Sequence, residues 1–431
     1  MSLEISKIKK VFCIGIGGIG ISALAQMFQS RGAEVSGLND EEGDTVNLLR
    51  GAGIKVLVKE KQTPAQDLLL RNVDHSQEFT FLPEADLYIY SDAWLYRGPE
   101  ILEEAKKTGK PVMSYFEALG EIAKEYKTIA ISGTHGKTTT TAMVAGILVD
   151  AGLDPTVIVG SFVKKFGSNF RGGKGEYLVV EADEYNRHML NFHPFVGAIT
   201  NIEADHLDCY KDLDDIKDAF RKFLDQSEHK ITEYSKFLPK VPELKVPGEH
   251  NRMDAAVALA VAEVLGIDEK VAQDSLASFE GTWRRLEKRA ELPNGLIIYD
   301  DYAHHPTEVR ASLKALRGIY PKGDYRLIVV FQPHLYSRTR AFFDEFSQSF
   351  GDADQVLFLP IYFAREDPDP SISSDKLSAK VEEYSKNSKS FANFEELEAF
   401  VAGLNLGKGD VFVTMGAGEA YKIANKVFGL K

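Results

Sequence analysis

Three times along this chain a short apolar run enters a glycine-bearing or polar loop and then a helical pattern, and this recurrence narrows the fold more than any other feature. The first run, 11–14, passes through Gly15-Ile16-Gly17-Gly18-Ile19-Gly20 into a helix expected near 22–30, with further strands at 33–37 and 86–90. The second, 127–132, turns through Gly133-Thr134-His135-Gly136 into a helix starting at Lys137 or Thr138, with strands to follow at 177–181 and 196–200. The third has strands at 296–299, 326–331, 355–359 and 410–414. Continuous apolar strands alternating with helices predict parallel sheets covered on both faces. With 431 residues the chain exceeds one ordinary core. The expected division is 1–126, 127–282 and 283–431. The stretch 225–247 is polar and irregular, and no element is assigned to it.

A formal charge of −13 argues against a general nucleic-acid binder, whose mark is a basic face. Two cysteines, Cys13 and Cys209, offer no disulfide framework, as suits a reducing compartment. Residues 1–10 lack a signal-peptide pattern, and no segment approaches the length of a membrane span. The expectation is a soluble cytoplasmic protein acting on small molecules, with no nucleic-acid or membrane partner.

Gly133-Thr134-His135-Gly136-Lys137-Thr138-Thr139 is the sharpest local signal. Its glycines let backbone N–H groups converge on phosphate oxygens, and the following helix points its positive end at the same place. Lys137 can reach the outer phosphates and Thr138 can hold Mg²⁺. Ile131 stands where a standard phosphate loop has its first glycine; an ordinary strand-to-helix turn is the plain alternative. Carboxylates follow two later strands, in Glu181-Ala182-Asp183-Glu184 and in Glu203-Ala204-Asp205-His206-Leu207-Asp208. Strand C-terminal ends form the ligand-binding edge of a parallel sheet. Glu181 and His206 are therefore candidate ligands for Mg²⁺ or Mn²⁺.

Later in the chain, Asp300-Asp301-Tyr302-Ala303-His304-His305-Pro306-Thr307-Glu308 joins a strand to a helix. Consecutive histidines diverge, so His304 and His305 would not share a metal without other ligands, and Thr307 is a candidate helix cap. Arg284-Arg285 and the run 331–340 place cations in loops.

Taken together, these islands resemble the Mur ligase family. The matching blocks are GIGGIGISALA at 15–25, GTHGKTTTT at 133–141, EADEY at 181–185, TNIEADHLD at 200–208, PGEHN at 247–251, RRLE at 284–287, DDYAHHPTE at 300–308, FQPHLYSRT at 331–339 and MGAG at 415–418. They occur in family order over nearly the whole chain. The resemblance implies an α/β enzyme of three domains: a Rossmann-like N-terminal domain, a central P-loop ATPase domain with a mainly parallel sheet, and a Rossmann-like C-terminal domain that closes over the site. It implies a ligase that uses ATP and Mg²⁺ or Mn²⁺ to join L-alanine to the lactyl carboxylate of UDP-N-acetylmuramate through an acyl phosphate, as a monomer or homodimer. By the same resemblance Gly133, Thr134, His135, Gly136, Lys137, Thr138 and Thr139 would bind ATP together with His250, Asn251, Arg285 and Asp301. Lys137, Glu181 and His206 would be catalytic, with Thr138, Glu181 and His206 on the metal. Gly17, Gly18, Ile19 and Gly20 would take the UDP-sugar, and Tyr302, His304 and Arg338 would line the amino-acid or muramyl pocket.

The chain departs from the pattern of the family at five places. Leu335 replaces a usual arginine, and Asp254 replaces a usual asparagine. Leu38-Asn39-Asp40 and Ser91-Asp92-Ala93-Trp94 differ from the usual uridine-side sequences, and the stretch between His206 and Pro247 is short, implying a reduced central domain. Three other readings compete. The recycling ligase of the family adds a preformed tripeptide to the same sugar. A dehydrogenase would use Gly15-x-Gly17-x-x-Gly20 as its dinucleotide loop, with Asp40 as its ribose acid. A nucleotide-hydrolysing regulator would share the phosphate loop alone.

Overall fold

The computed structural model describes residues 5–58, 82–363, 366–385 and 387–430. By compactness the chain forms two units. The first comprises residues 1–132, 148–198 and 219–231; the second comprises 133–147, 199–218 and 232–431.

The first unit is built on two sheets. One runs in the spatial order Lys55–Val58, Glu34–Asn39, Lys10–Ile14, Leu87–Tyr90, Val112–Ser114, all parallel. Its central strand, Lys-Val-Phe-Cys-Ile, is exposed only at its first residue, as a strand covered on both faces must be. Phe12, Ile14, Leu38, Tyr88, Trp94 and Ile101 form one core beneath it. The helix after the glycine loop spans Ile19–Ser30. It starts three residues before the sequence pattern implied, because Gly18 in an extended conformation already serves as its N-cap.

The second sheet runs His229–Ile231, Val196–Ile199, Lys127–Ser132, Tyr177–Glu181, Thr156–Val163, Ser168–Arg171. Its last pair is antiparallel. A six-stranded sheet thus persists despite the short stretch after His206, and that stretch contributes the edge strand His229–Ile231 and a 3-10 helix at Ser235–Lys240. Buried Asn169, on the edge strand of this sheet, ties it to the helix Ile19–Ser30: its Nδ2 donates to the Ile19 carbonyl at 2.5 Å and to Ser22 Oγ at 2.9 Å.

The second unit carries the third sheet, ordered Glu287–Glu291, Ile297–Asp301, Asp410–Met415, Arg326–Phe331, Gln355–Phe358, Ser388–Ser390, parallel except at its first pair. Separate apolar clusters cover its two faces. In one of them Phe331 meets Phe346, Phe350 and Phe358 at ring separations of 5.6, 5.2 and 5.9 Å. Aromatic contacts of this kind each add roughly 0.5–1.5 kcal/mol to area burial. Among the described residues no helix is long and apolar enough to cross a membrane.

Candidate active site

The phosphate loop leaves strand Lys127–Ser132 and ends where helix Lys137–Asp150 begins. Gly133 and Gly136 have φ of +135° and +81°, which disfavour any side chain. A Cβ on Gly133 would also lie 2.0 Å from Thr200 Oγ1, and one on Gly136 2.2 Å from Asp254 Oδ1. Asn201 clamps the loop: its carbonyl accepts from Thr134 N–H at 3.1 Å, its Oδ1 accepts from His135 N–H at 3.0 Å, and its Nδ2 donates to the His135 carbonyl at 3.0 Å. Lys137 folds back over the loop, donating to the carbonyls of Gly133 at 2.7 Å and Thr134 at 3.1 Å. Arg285 arrives from a distant segment and donates to Thr138 Oγ1 at 3.3 Å.

Beside this loop lies a cavity of about 200 Å³, lined by His135, Gly136, Thr139, His250, Asn251, Arg285 and Asp301 among others. Seven expected nucleotide residues from four stretches of sequence converge there. Gly133, Thr134, Lys137 and Thr138 shape the loop without lining the cavity. Burial pushes His250 down, leaving a neutral ring whose Nε2 lies 3.2 Å from Asn251 Nδ2. Burial pushes Asp301 up to about 6 even though its Oδ1 accepts from the N–H groups of Leu286 and Ala303. Asp254, wholly enclosed, is pushed up to about 7 by burial, against the charge of Arg285.

Two acids that sequence reading left without a role prove central to this region. Glu308 accepts from the N–H groups of His304 and His305, at 2.9 and 3.2 Å, and lies 3.1 Å from His135 Nδ1. Glu203 accepts from Thr307 Oγ1 at 2.8 Å and lies 3.5 Å from His135 Nε2. Burial opposes a charge on His135, yet these two carboxylates prevail and raise it to about 9. The expected cap of helix Pro306–Ile319 is also corrected: His305, not Thr307, is the N-cap, closing a capping box with Glu308.

A second line of residues continues from the first. The Tyr302 ring lies 5.3 Å from the Arg284 guanidinium and 4.9 Å from that of Arg285. Arg284 itself is buried at φ +59°, donating to Asp300 at 2.7 Å and to the carbonyls of Gly416 and Gly418. His304 Nδ1 lies 2.9 Å from the Tyr302 carbonyl, and burial pushes this imidazole down to about 4. At neutral pH it therefore donates from Nδ1 and keeps an acceptor at Nε2. The His304 ring contacts those of Tyr302 and His334, and Arg338 pairs with Asp205 at 3.1 Å. Arg338 Nη1 lies 3.4 Å from His334 Nδ1, so Tyr302, His304 and Arg338 are connected through His334.

A cavity of about 310 Å³ opens beside it, lined by Asp205, His206, Leu335 and Arg338 among others. Leu335, at φ +70° and buried, gives this lining an apolar side chain.

The proposed metal ligands are not all in one unit: Glu181 belongs to the first, Thr138 and His206 to the second. One Glu181 oxygen accepts from Gly160 N–H at 2.5 Å. Among the described residues, the His, Cys, Asp and Glu donors that converge closely enough for an ion are a different set, His135, Glu203 and His305. In the N-terminal glycine loop, Asn39 Oδ1 accepts from Gly17 N–H at 3.0 Å, and Gly20 packs so tightly on Tyr115 that a Cβ would meet its ring at 2.8 Å. Asp40, the acid a dehydrogenase would need, pairs with Arg97 at 2.6 Å.

A glycine loop closed by Lys137, joined by an arginine from the third sheet's domain and enclosed by a cavity of nucleotide-compatible groups, defines an enzyme of phosphoryl transfer. The chain belongs to the Mur ligase family. Residues 10–127 match the model described as Mur ligase family, catalytic domain, 131–234 the Mur ligase middle domain, and 284–418 the Mur ligase, glutamate ligase domain. The UDP-N-acetylmuramate–L-alanine ligase of Caldicellulosiruptor saccharolyticus is 36% identical, over 96% of this chain and 97% of that protein. The protein of the same name from Desulforapulum autotrophicum is also 36% identical, over 96% of each. The crystal structure of the UDP-N-acetylmuramate-alanine ligase MurC of Thermotoga maritima superposes with a TM-score of 0.79 at 26% identity, covering 98% of both chains. A murein peptide ligase from Psychrobacter arcticus, at 22% identity and a TM-score of 0.67, shares the fold. Family membership displaces the dehydrogenase reading of the N-terminal glycines.

Proposed function

We propose that this chain is an ATP-dependent ligase that forms the amide bond between the lactyl carboxylate of UDP-N-acetylmuramate and the amine of L-alanine, releasing ADP and phosphate. The observation that carries the reading is the convergence of His135, Gly136, Thr139, His250, Asn251, Arg285 and Asp301 on one cavity at the phosphate loop. The relatives over nearly the full chain that bear the alanine-ligase name support the choice of amino acid.

The chemistry follows from the poor electrophilicity of a carboxylate. A lactyl oxygen bonds to the γ-phosphorus of ATP as the bond to ADP breaks. The amine nitrogen of alanine then attacks the acyl carbon, and the tetrahedral adduct expels inorganic phosphate. Lys137 and Arg285 supply positive charge where it accumulates on the transferred group. The divalent ion, Mg²⁺ or Mn²⁺, would be held through Thr138 and His206, with Glu181 a further candidate ligand, and would neutralise phosphoryl charge. His304 and Arg338 would meet the amino-acid or muramyl end, and Gly17 to Gly20 the UDP-sugar. The division at 1–126, 127–282 and 283–431 into sugar, ATP and closing domains is part of this proposal.

The test is product mass spectrometry with ATP and UDP-N-acetylmuramate against L-alanine, glycine, L-serine and a muropeptide tripeptide. The expected product is the alanyl adduct, with ADP release dependent on both substrates. Preferential use of the tripeptide would move the chain to the recycling activity, and ADP release indifferent to both substrates would remove the ligase reading.

A further inference from the structure

His135, Glu203 and His305 come from three separated stretches: the phosphate loop, the loop after strand Val196–Ile199, and the N-cap of helix Pro306–Ile319. Their donor atoms all lie within 4.8 Å of one another. Two buried nitrogens in this cluster lack a well-formed hydrogen bond: His135 Nε2 has only the Glu203 carboxylate at 3.5 Å, and His305, 4% exposed, has no partner at Nε2. Leaving such groups unsatisfied is costly, so a native structure that gathers two beside a carboxylate calls for an explanation.

We propose that His135, Glu203 and His305 bind a divalent transition-metal ion of the zinc class at a site chemically separate from the magnesium that accompanies the nucleotide. Two imidazoles and a carboxylate suit zinc, cobalt or nickel, a nitrogen-richer set than a magnesium ion held mainly by oxygen would take. The supports behind the ligands are already in place. Glu308 lies 3.1 Å from His135 Nδ1, the carboxylate–histidine arrangement that directs Nε2 at a metal, and Thr307 Oγ1 holds Glu203 at 2.8 Å. The ion takes the place of the proton that Glu203 and Glu308 otherwise favour on His135. His305 Nδ1 accepts the Thr307 N–H at 3.3 Å; coordination through Nε2 moves the ring proton to Nδ1 and gives up this long bond. Glu308 still closes the helix end through His305 N–H. Three protein ligands leave a fourth position open, and His135 and Glu203 also line the nucleotide cavity, so zinc and nucleotide binding are coupled.

This site does not depend on which amino acid or sugar the enzyme uses. The experiment is calorimetric titration of the metal-free full chain with zinc chloride, without nucleotide and with magnesium in excess. One equivalent should bind, with an anomalous peak at the zinc edge between these three side chains. His305→Ala and Glu203→Gln should each weaken binding on the order of 100-fold while keeping the wild-type circular dichroism spectrum. His193→Ala, at an exposed histidine, should leave it unchanged. Failure of the wild type to bind stoichiometric zinc overturns the proposal, as does undiminished affinity in whichever of the two site variants folds.

Discussion

Arg338 and Asp205 form an ion pair at 3.1 Å in which the two side chains are 6% and 7% exposed. They lie 133 positions apart in sequence, so the pair fastens the loop after one strand to a helix of the third sheet's domain. Burial alone would raise Asp205, but Arg338 beside it outweighs that and holds the carboxyl well below the usual range. Removing one partner of a buried pair strands the other charge, typically at about 3–5 kcal/mol. Arg338→Ala should therefore lower Tm markedly, and adding Asp205→Asn should recover part of the loss. A double variant no more stable than Arg338→Ala in thermal melts would show that the two are not coupled.

Asp254 makes stability depend on pH. Its carboxyl, ordinarily near 3.8, sits at about 7 in the folded chain because burial disfavours its charge. The folded state thus binds this proton more tightly than the unfolded one. The stabilisation is complete below pH 3.8 and lost as pH rises toward 7. About 4 kcal/mol is the upper scale of that loss. Asp254→Asn should match wild type near pH 4 and exceed it at pH 8. Denaturant midpoints at the two pH values measure this; parallel midpoints would refute it.

Lys137→Ala should abolish phosphoryl transfer, reducing kcat by about 10³-fold or more, with Tm little changed. The ammonium satisfies two loop carbonyls but anchors no core. Coupled ADP-release kinetics and a melting curve check both parts, and near-normal turnover would refute the assignment.

Gly136→Ala introduces a methyl at φ +81°, 2.2 Å from where Asp254 Oδ1 lies. Loop and helix must separate to admit it. Nucleotide affinity should fall by at least about tenfold, since phosphate-binding amides depend on that geometry. Titration with a fluorescent ATP analogue reads this directly, and unchanged affinity would argue that the loop is not the phosphate site.

Much of the scaffold was legible because its signals are local. Strands 127–132, 177–181 and 326–331 appear with the expected bounds, since a buried parallel strand is a short unbroken apolar run between polar turns. The strand His229–Ile231 escaped notice because only Ile231 of its three residues is buried. Thr307 was misread as a cap because threonine is the commoner choice, whereas here a histidine ring performs the task. Glu203 and Glu308 lay in quoted motifs without a role, because nothing in a one-dimensional pattern marks two acids 105 positions apart as neighbours of the same imidazole.

From its sequence alone this chain was bound to form glycine-ended parallel strands, a phosphate loop and a three-part α/β chain, because hydrophobic period and backbone freedom are properties of neighbouring residues. Tertiary structure alone decided that His135 would lie between Glu203 and Glu308, that Arg285 would reach Thr138, and that Asp254 would lose its solvent and hold its proton. Charge and coordination depend on distance and on the exclusion of water, and both are set only when segments remote in sequence close on one another.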